Sequence, residues 1–447
     1  MRWAALADSA RRIAPLAWPV FVGQVAVLAF STVDTLMTAR YAAVDLAALA
    51  IGGAAYISVF IGLMGVVLAV GPIVGQLYGA QRLPECGAQL QQAMWLALAL
   101  SVPGCALLLF PQPFLAMAQA TPEVAAKVRG HLAALAVALP FALLFTAFRG
   151  FATSVSRPKV VMALQLGALL LKVPLTAALV FGTTLPFGLP VLPALGAPGC
   201  GIATAVCMAA QMGLAWWLLK RDPHYARFGL HGRFAPPHRA SLRALLRLGV
   251  PMGASILIEV TGFSFMALFI ARIGATPVAG HQIAINLVSL MFMMPLAIAN
   301  AASTLVAQRI GADDLPGARR LGWHGLELGV AIAALMGGVV YLLREGILRV
   351  YTGDAVIVAA ALPLLAWVAV FHVADAAQTV AAFVLRAYRI ATVPVLIYAA
   401  AIWGVGLGGG YVVAFDRFGW TPPALQGAPG FWAAATAGLV LAGGGLC

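Results

Sequence analysis

Twelve apolar runs, each close to the length a helix needs to cross a bilayer, leave this chain few folds to choose from. About 20 mostly apolar residues in helical conformation span the hydrocarbon core. The runs fall at residues 14–38, 47–78, 89–110, 131–154, 160–181, 199–219, 245–271, 277–307, 322–343, 355–385, 391–414 and 430–446, separated by short loops that carry nearly all the Arg and Lys. Only 9% of residues are charged and 63% are hydrophobic, against roughly 25% charged in soluble domains. The pattern predicts an all-α polytopic membrane protein of twelve transmembrane helices.

The formal net charge of +13 would suit a nucleic-acid partner, but its placement decides otherwise. With the N-terminus in the cytoplasm, the N-terminal arm and the even-numbered loops, taken with Arg149 and Arg247 at the adjoining helix ends, hold nineteen Lys and Arg. The outer loops hold seven: Arg40, Lys127, Arg129, Arg272, Arg344, Arg349 and Arg417. Positive charge kept inside places both termini in the cytoplasm, and no nucleic acid is expected as partner. The start "MRWAALADSARR" precedes an apolar stretch too long for a signal-peptide core, so it reads as a retained first span. Cys86, Cys105, Cys200, Cys207 and Cys447 have no paired metal spacing, and neither a disulfide framework nor a zinc site is expected.

The chain is written twice. An offset of 232 residues lays Pro19 on Pro251, Arg40 on Arg272, Ile51 on Ile283, Phe60 on Phe292, Gln76 on Gln308 and Gly79 on Gly311 without a gap. Further on, "FRGF" at 148–151 answers "LRAY" at 385–388, and "GAPG" recurs at 196–199 and 427–430. Each half holds six helices. Because six is even, both halves enter from the same side, related by a pseudo-two-fold axis along the membrane normal, as in transporters built from parallel repeats. The expected lobes are 1–219 and 244–447, joined by a polar, basic linker at 220–243 that reads as a hinge. A duplicated scaffold serving as a channel or a membrane-embedded enzyme is the competing class. A channel would need a filter, usually assembled by oligomers, and an enzyme a clustered site, whereas Asp313 with Asp314 is an isolated loop pair.

Three acids lie well inside spans: Asp34, Glu259 and Asp375. One ionised side chain at the bilayer centre costs about 2.5–3.5 kcal/mol on insertion scales, and three cost roughly 8–10 kcal/mol. Each must be paired, protonated, hydrated or bound to a cation. Lys172, the one lysine deep in a span, shares a half with Asp34, so an internal ion pair is expected there. Glu259 and Asp375 have only Arg386, eleven residues beyond Asp375 and so about 16 Å along a helix, near the cytoplasmic end. Two acids without a fixed cation suit a movable one, a shared proton or Na+ held at Glu259 and Asp375. Gln282 and Asn286, spaced i and i+4, are placed to complete a cation shell, and His372 stands one turn before Asp375 as a supporting candidate. Pro15, Pro19, Pro140, Pro251 and Pro363 lie in or at the ends of spans and allow bending. Phe263, Phe265, Met266, Met291, Phe292 and Met294 are candidates for a greasy, adaptable pocket.

Seven segments in order, "PVFVGQVAVLAFSTVDTLMTAR", "PIVGQLYGAQR", "FRGFATSVSRPKVV", "GAPGCGIATA", "LRLGVPMGASILIEVTGF", "GHQIAINLVSLMFMMPLAIANAASTLVAQRIG" and "ADAAQTVAAFVLRAYR", make the chain similar to the multidrug and toxic compound extrusion (MATE) transporters of the NorM-like bacterial branch. The resemblance covers nearly the whole chain. It implies a bacterial inner-membrane antiporter that exports bulky, often cationic and aromatic drugs in exchange for Na+ or H+, working as a monomer among membrane lipids, with no cofactor beyond the coupling ion. A lipid or lipid-linked precursor flippase of the same superfamily is the alternative, disfavoured by the scarcity of charge within the spans. Family cation-site residues carry over to Glu259, Gln282 and Asp375, and to Asp34 in the first lobe. The chain departs from the pattern where the family has two asparagines a turn apart on its fifth helix, since Lys172 and Thr176 stand there, and this argues against a first-lobe cation site. It stops at "LVLAGGGLC" without a basic tail, leaving the twelfth span short.

Overall fold

The computed structural model describes residues 2–184, 190–232 and 234–447. In lipid every backbone N–H and C=O needs an internal partner, which a helix supplies within one segment, and the apolar runs fold accordingly. Among the described residues twelve helices are long and apolar enough to cross a membrane. They are α1 Ala4–Tyr41, α2 Ala43–Gly79, α3 Leu83–Leu109, α4 Pro122–Ser154, α5 Pro158–Phe181, α6 Ala197–Arg221, α7 Arg239–Ala271, α8 Ala275–Gly311, α9 Leu315–Tyr351, α10 Ala355–Ala387, α11 Thr392–Ala414 and α12 Ala428–Leu446. Three helix starts are closed by oxygen caps: Thr121, Asp314 and Asp354 accept from the backbone N–H groups of Val124, Gly317 and Val356. Between α5 and α6 the strands Thr183–Thr184 and Pro190–Leu192 pair antiparallel, a small departure from the all-helical expectation.

By packing, the chain separates into two compact units, Val22–Gly253 and Met1–Phe21 with Ala254–Cys447. The division cuts inside α1 and α7 rather than at the linker. Both cuts fall two residues beyond a helical proline, Pro19 and Pro251, and Phe21 and Gly253 are counterparts under the 232-residue offset. A proline within a helix removes one ladder bond and marks a point of bending, so the repeat has placed the same breakable point in both halves.

In the Val22–Gly253 unit the core centres on the buried rings of Phe148, Phe151, Tyr225 and Phe228. The last two belong to the linker. Phe228 lies edge-on to Phe151 at 5.3 Å, Trp95 Nε1 donates to the Ala235 carbonyl at 3.0 Å, and Gln92 donates to the Pro236 carbonyl at 2.9 Å while accepting from His238 N–H at 2.7 Å. Its polar composition suggested a free hinge; its two aromatic anchors and these bonds instead dock it on α3 and α4. Asp222, just beyond α6, caps the turn at His224 and pairs with Arg157 at 2.7 Å. At the other end of this unit, buried Asp45 of α2 binds Lys127 of α4 at 2.8 Å and the Ala197 N–H of α6 at 2.8 Å. Small residues admit close helix crossings: a Cβ at Gly249 of α7 would stand 2.3 Å from the Val66 carbonyl oxygen of α2.

The second unit is cored by Phe371, Phe431 and Trp432, all fully buried. Ile13, Leu16 and Ala17 of α1 pack on Ala297, Ile298, Ala301 and Ala302 of α8, and Ser9 Oγ lies 2.7 Å from His324 Nδ1 of α9. Within α11 an α-helical start, Thr392–Tyr398, gives way to a π-helical stretch, Ala399–Gly409, before α-geometry returns at Gly410–Ala414. Gly438 of α12 lets that stretch approach, since a Cβ there would meet the Ala401 carbonyl oxygen at 2.4 Å.

The N–H of His224, and after it the Arg157 guanidinium, hold the Asp222 carboxyl below the usual carboxylate range. Because the folded value is the lower one, this tie stabilises fully above the ordinary aspartate value and is lost as pH falls through the folded one. Asp222→Asn should therefore melt below wild type at pH 7, with the difference closing as pH drops below about 4, as measured by thermal unfolding across a pH series.

Candidate functional site

Glu259 of α7 and Asp375 of α10 meet on one neutral side chain. Gln378, one turn beyond Asp375 on the same helix and fully buried, donates through Nε2 to Asp375 Oδ1 at 2.9 Å and to Glu259 Oε1 at 3.3 Å. The same nitrogen lies 3.0 Å from Thr379 Oγ1. Its amide oxygen accepts from the hydroxyl of Tyr398, the last α-helical residue of α11 before the π stretch. Tyr398 thereby fixes the amide with its NH2 toward the acids. Sharing one nitrogen keeps the two carboxylate oxygens within about 6 Å of each other, inside the range where like charges oppose ionisation.

An amide carries two N–H groups and no charge. Two ionised carboxylates at that separation repel by about 3 kcal/mol at an effective dielectric near 20, beyond the cost of burying each. Among the described ion pairs neither acid takes part. Arg386, the one arginine further along α10, is buried with its guanidinium 4.4 Å above the Phe383 ring; it acts on Glu259 through its field without forming an ion pair with it. The arrangement offers carboxylate, amide and hydroxyl oxygens and, among the described residues, no ion-paired cation. That donor set is chemically suited to hard cations such as Na+ and to protons.

Gln282 and Asn286 of α8 lie on an exposed face, where Asn286 Nδ2 donates to the Gln282 backbone oxygen at 3.1 Å. No described hydrogen bond joins either to the acids, and the amide that does meet them is Gln378. His372, one turn before Asp375, is fully buried, and neither ring nitrogen has a hydrogen-bond partner among the described residues.

The first half is built differently. Lys172 of α5 is fully buried and its Nζ stands 2.9 Å from Asp34 Oδ1 and 3.0 Å from Oδ2. The ammonium also donates to the Cys200 carbonyl at 3.3 Å and to Thr204 Oγ1, both on α6, and faces the Phe30 ring at 5.6 Å. Its three N–H groups are therefore met by oxygens of three residues, Asp34, Cys200 and Thr204. Thr176 is buried one turn further along α5. This carboxylate carries its own cation.

Sequence reasoning singled out Asp34, Lys172, Glu259 and Asp375 but missed Gln378, Tyr398 and Thr204. Only Gln378 left a signal, its i+3 spacing from Asp375. Tyr398 and Thr204 reach their partners across helices, where periodicity says nothing.

A model of the MatE family matches residues 19–178 and again 251–412. The two matches begin at Pro19 and Pro251, the residues that the 232-residue offset superposes. The chain is 40% identical over 431 residues to the probable multidrug resistance protein NorM of Aromatoleum aromaticum, covering 95% of this chain and 90% of that protein. It is 34% identical to the multidrug resistance protein NorM of Vibrio cholerae, covering 95% and 91%. The crystal structure of the Vibrio cholerae MATE transporter VcmN in the bent form superposes with a TM-score of 0.85 at 16% identity over 99% of this chain and 96% of that one, a likeness of fold.

Removing one partner of a buried ion pair costs about 3–5 kcal/mol, whereas replacing both is often neutral. Lys172→Met should lower the melting temperature markedly and the double variant Asp34→Asn with Lys172→Met should recover most of it, as read by thermal unfolding of the purified protein.

Proposed function

The chain belongs to the MatE family of multidrug and toxic compound extrusion transporters, and on that premise we propose that it is a secondary active multidrug exporter coupled at Glu259 and Asp375. The observation that carries this reading is two acids, Asp375 buried and Glu259 half-buried, that share one neutral amide and enter no ion pair among the described residues. Organic, often cationic and aromatic compounds leave in exchange for incoming Na+ or H+. The protein acts in a bacterial inner membrane as a monomer, with both termini cytoplasmic. The names of its relatives, multidrug resistance proteins, support the substrate class.

A ligand shifts a conformational equilibrium only through its differential affinity for the two states. In this scheme the empty acid pair is the high-energy state. The cation entering it supplies the missing charge and stabilises one arrangement of the lobes, 1–219 and 244–447 with their linker 220–243, and the exported compound stabilises the other. Gln378 and Tyr398 hold the carboxylates in place during the exchange. Asp34 does not take the coupling ion, because Lys172 already occupies that role. The bending points are the prolines of α1 and α7, since the linker itself is docked on α3 and α4.

Everted vesicles loaded by an imposed Na+ or pH gradient and followed with a fluorescent cationic dye test this directly. Glu259→Gln and Asp375→Asn should each cut gradient-driven transport at least about tenfold, the effect of losing roughly 1.4 kcal/mol of coupling. Full activity in both variants would remove the acid pair from the mechanism.

A further inference from the structure

Trp403 stands midway along α11, eleven residues from Thr392 and eleven from Ala414. Indole rings favour the membrane boundary, where the ring N–H meets water; at mid-span that hydrogen needs a partner within the protein. It finds one on α7. Trp403 Nε1 donates to the Ile258 carbonyl at 3.2 Å and to Thr261 Oγ1 at 3.3 Å, one hydrogen shared between two oxygens. The Ile258 carbonyl belongs to the peptide unit whose nitrogen is that of Glu259. Thr261 in turn donates to the Leu257 carbonyl at 2.6 Å, and Ile258 is buried in one cluster with Tyr398 and Ala401 of α11. The indole thus grips α7 at the residue that carries the acid.

The same helix reaches the shared amide through Tyr398, whose hydroxyl fixes Gln378 between Asp375 and Glu259. Tyr398 and Trp403 are five residues apart. On an α-helix that spacing leaves two side chains about 140° apart, too far round to serve one crossing. The stretch Ala399–Gly409 is π-helical instead, and its i→i+5 bonding brings residues five apart toward one face. The rare geometry has a local use: from one side of α11 it presents a hydroxyl to the amide and an indole to α7.

We propose that Trp403 is a positioning residue for cation coupling, its N–H holding the Glu259 peptide so that the carboxylate stays on Gln378 beside Asp375. This rests on the reading of Glu259 and Asp375 as the coupling pair. The bond from Gln378 to Glu259 is already the longer of its two, 3.3 Å against 2.9 Å to Asp375, so it is the one that a loosened α7 gives up first. A cation then meets one carboxylate in place of two and binds more weakly. The other ionisable groups that bear on Glu259 are Asp375 and Arg386 of α10 and Tyr398 of α11, while α12 carries none along Ala428–Leu446. Substitutions at Trp403 leave all three in place.

The test is transport of a fluorescent cationic dye by everted vesicles, with Na+ and H+ varied separately to find the half-saturating concentration of whichever ion drives it. Trp403→Phe, which keeps a ring and loses the N–H, should raise that concentration at least about fivefold, the low end of coupling effects between sites, and leave the dye KM unchanged. Trp403→Gln, which restores an N–H at similar reach, should return it toward wild type. Thr261→Val, which removes one acceptor and leaves the indole in place, should shift it the same way by less. Half-saturation unmoved in Trp403→Phe or in Thr261→Val overturns the proposal. An equal shift in Trp403→Phe and Trp403→Gln also overturns it, because packing of the ring would then suffice. Failure of the underlying reading looks different: Glu259→Gln and Asp375→Asn would themselves leave half-saturation at the wild-type value, and the role of Trp403 would fall with theirs.

Discussion

A carboxylate in a hydrocarbon environment needs a positive partner, and where that partner comes from organises this molecule. The two halves answer the same requirement in opposite ways. In the first, Lys172 saturates Asp34 with a tethered ammonium whose remaining hydrogens go to Thr204 and the Cys200 carbonyl. In the second, Glu259 and Asp375 share a neutral amide and enter no ion pair among the described residues, with buried Arg386 acting on Glu259 only through its field. Under the repeat offsets of 231–237, the counterpart of Lys172 falls within residues 403–409, a stretch of Trp, Gly, Val and Leu with no charged side chain. A duplicated scaffold thus holds one acid tied to a lysine and, in the other half, two acids tied to an amide.

The two-acid site depends on how α11 packs. Gly438 of α12 lets that helix press against the π-helical stretch at the Ala401 carbonyl. Tyr398 stands immediately before that stretch, where a change of helical repeat re-aims the side chains around it. Its hydroxyl orients Gln378, and Gln378 orients both acids. Packing in α11 and charge at the α7–α10 crossing are therefore parts of one arrangement. A larger residue at Gly438 would be felt at Asp375 without touching it.

Much of this was legible in the sequence because its physical causes are local. The length of each apolar run gives the helices, the 232-residue offset gives the repeat at the boundaries where the family matches begin, and the cost of intramembrane charge isolates Asp34, Glu259, Asp375 and Lys172. What escaped is tertiary. Gln378 carries no charge to attract notice, and Tyr398 and Thr204 meet their partners from other helices. Gln282 and Asn286 share a face by spacing, but spacing does not say which way that face turns, and here it is exposed. The linker reads as slack from its polar residues, while its behaviour is set by two aromatic anchors, Tyr225 and Phe228, whose burial only the fold reveals.

The central claim is that the second half takes a mobile cation where the first carries a built-in one. Equilibrium binding on purified protein, counting radiolabelled Na+ bound and H+ exchanged per chain, measures this most directly. The account predicts one cation equivalent per chain, retained in Asp34→Asn and abolished when Glu259→Gln and Asp375→Asn are combined. Loss of that equivalent in Asp34→Asn, with retention in the combined variant, would contradict it.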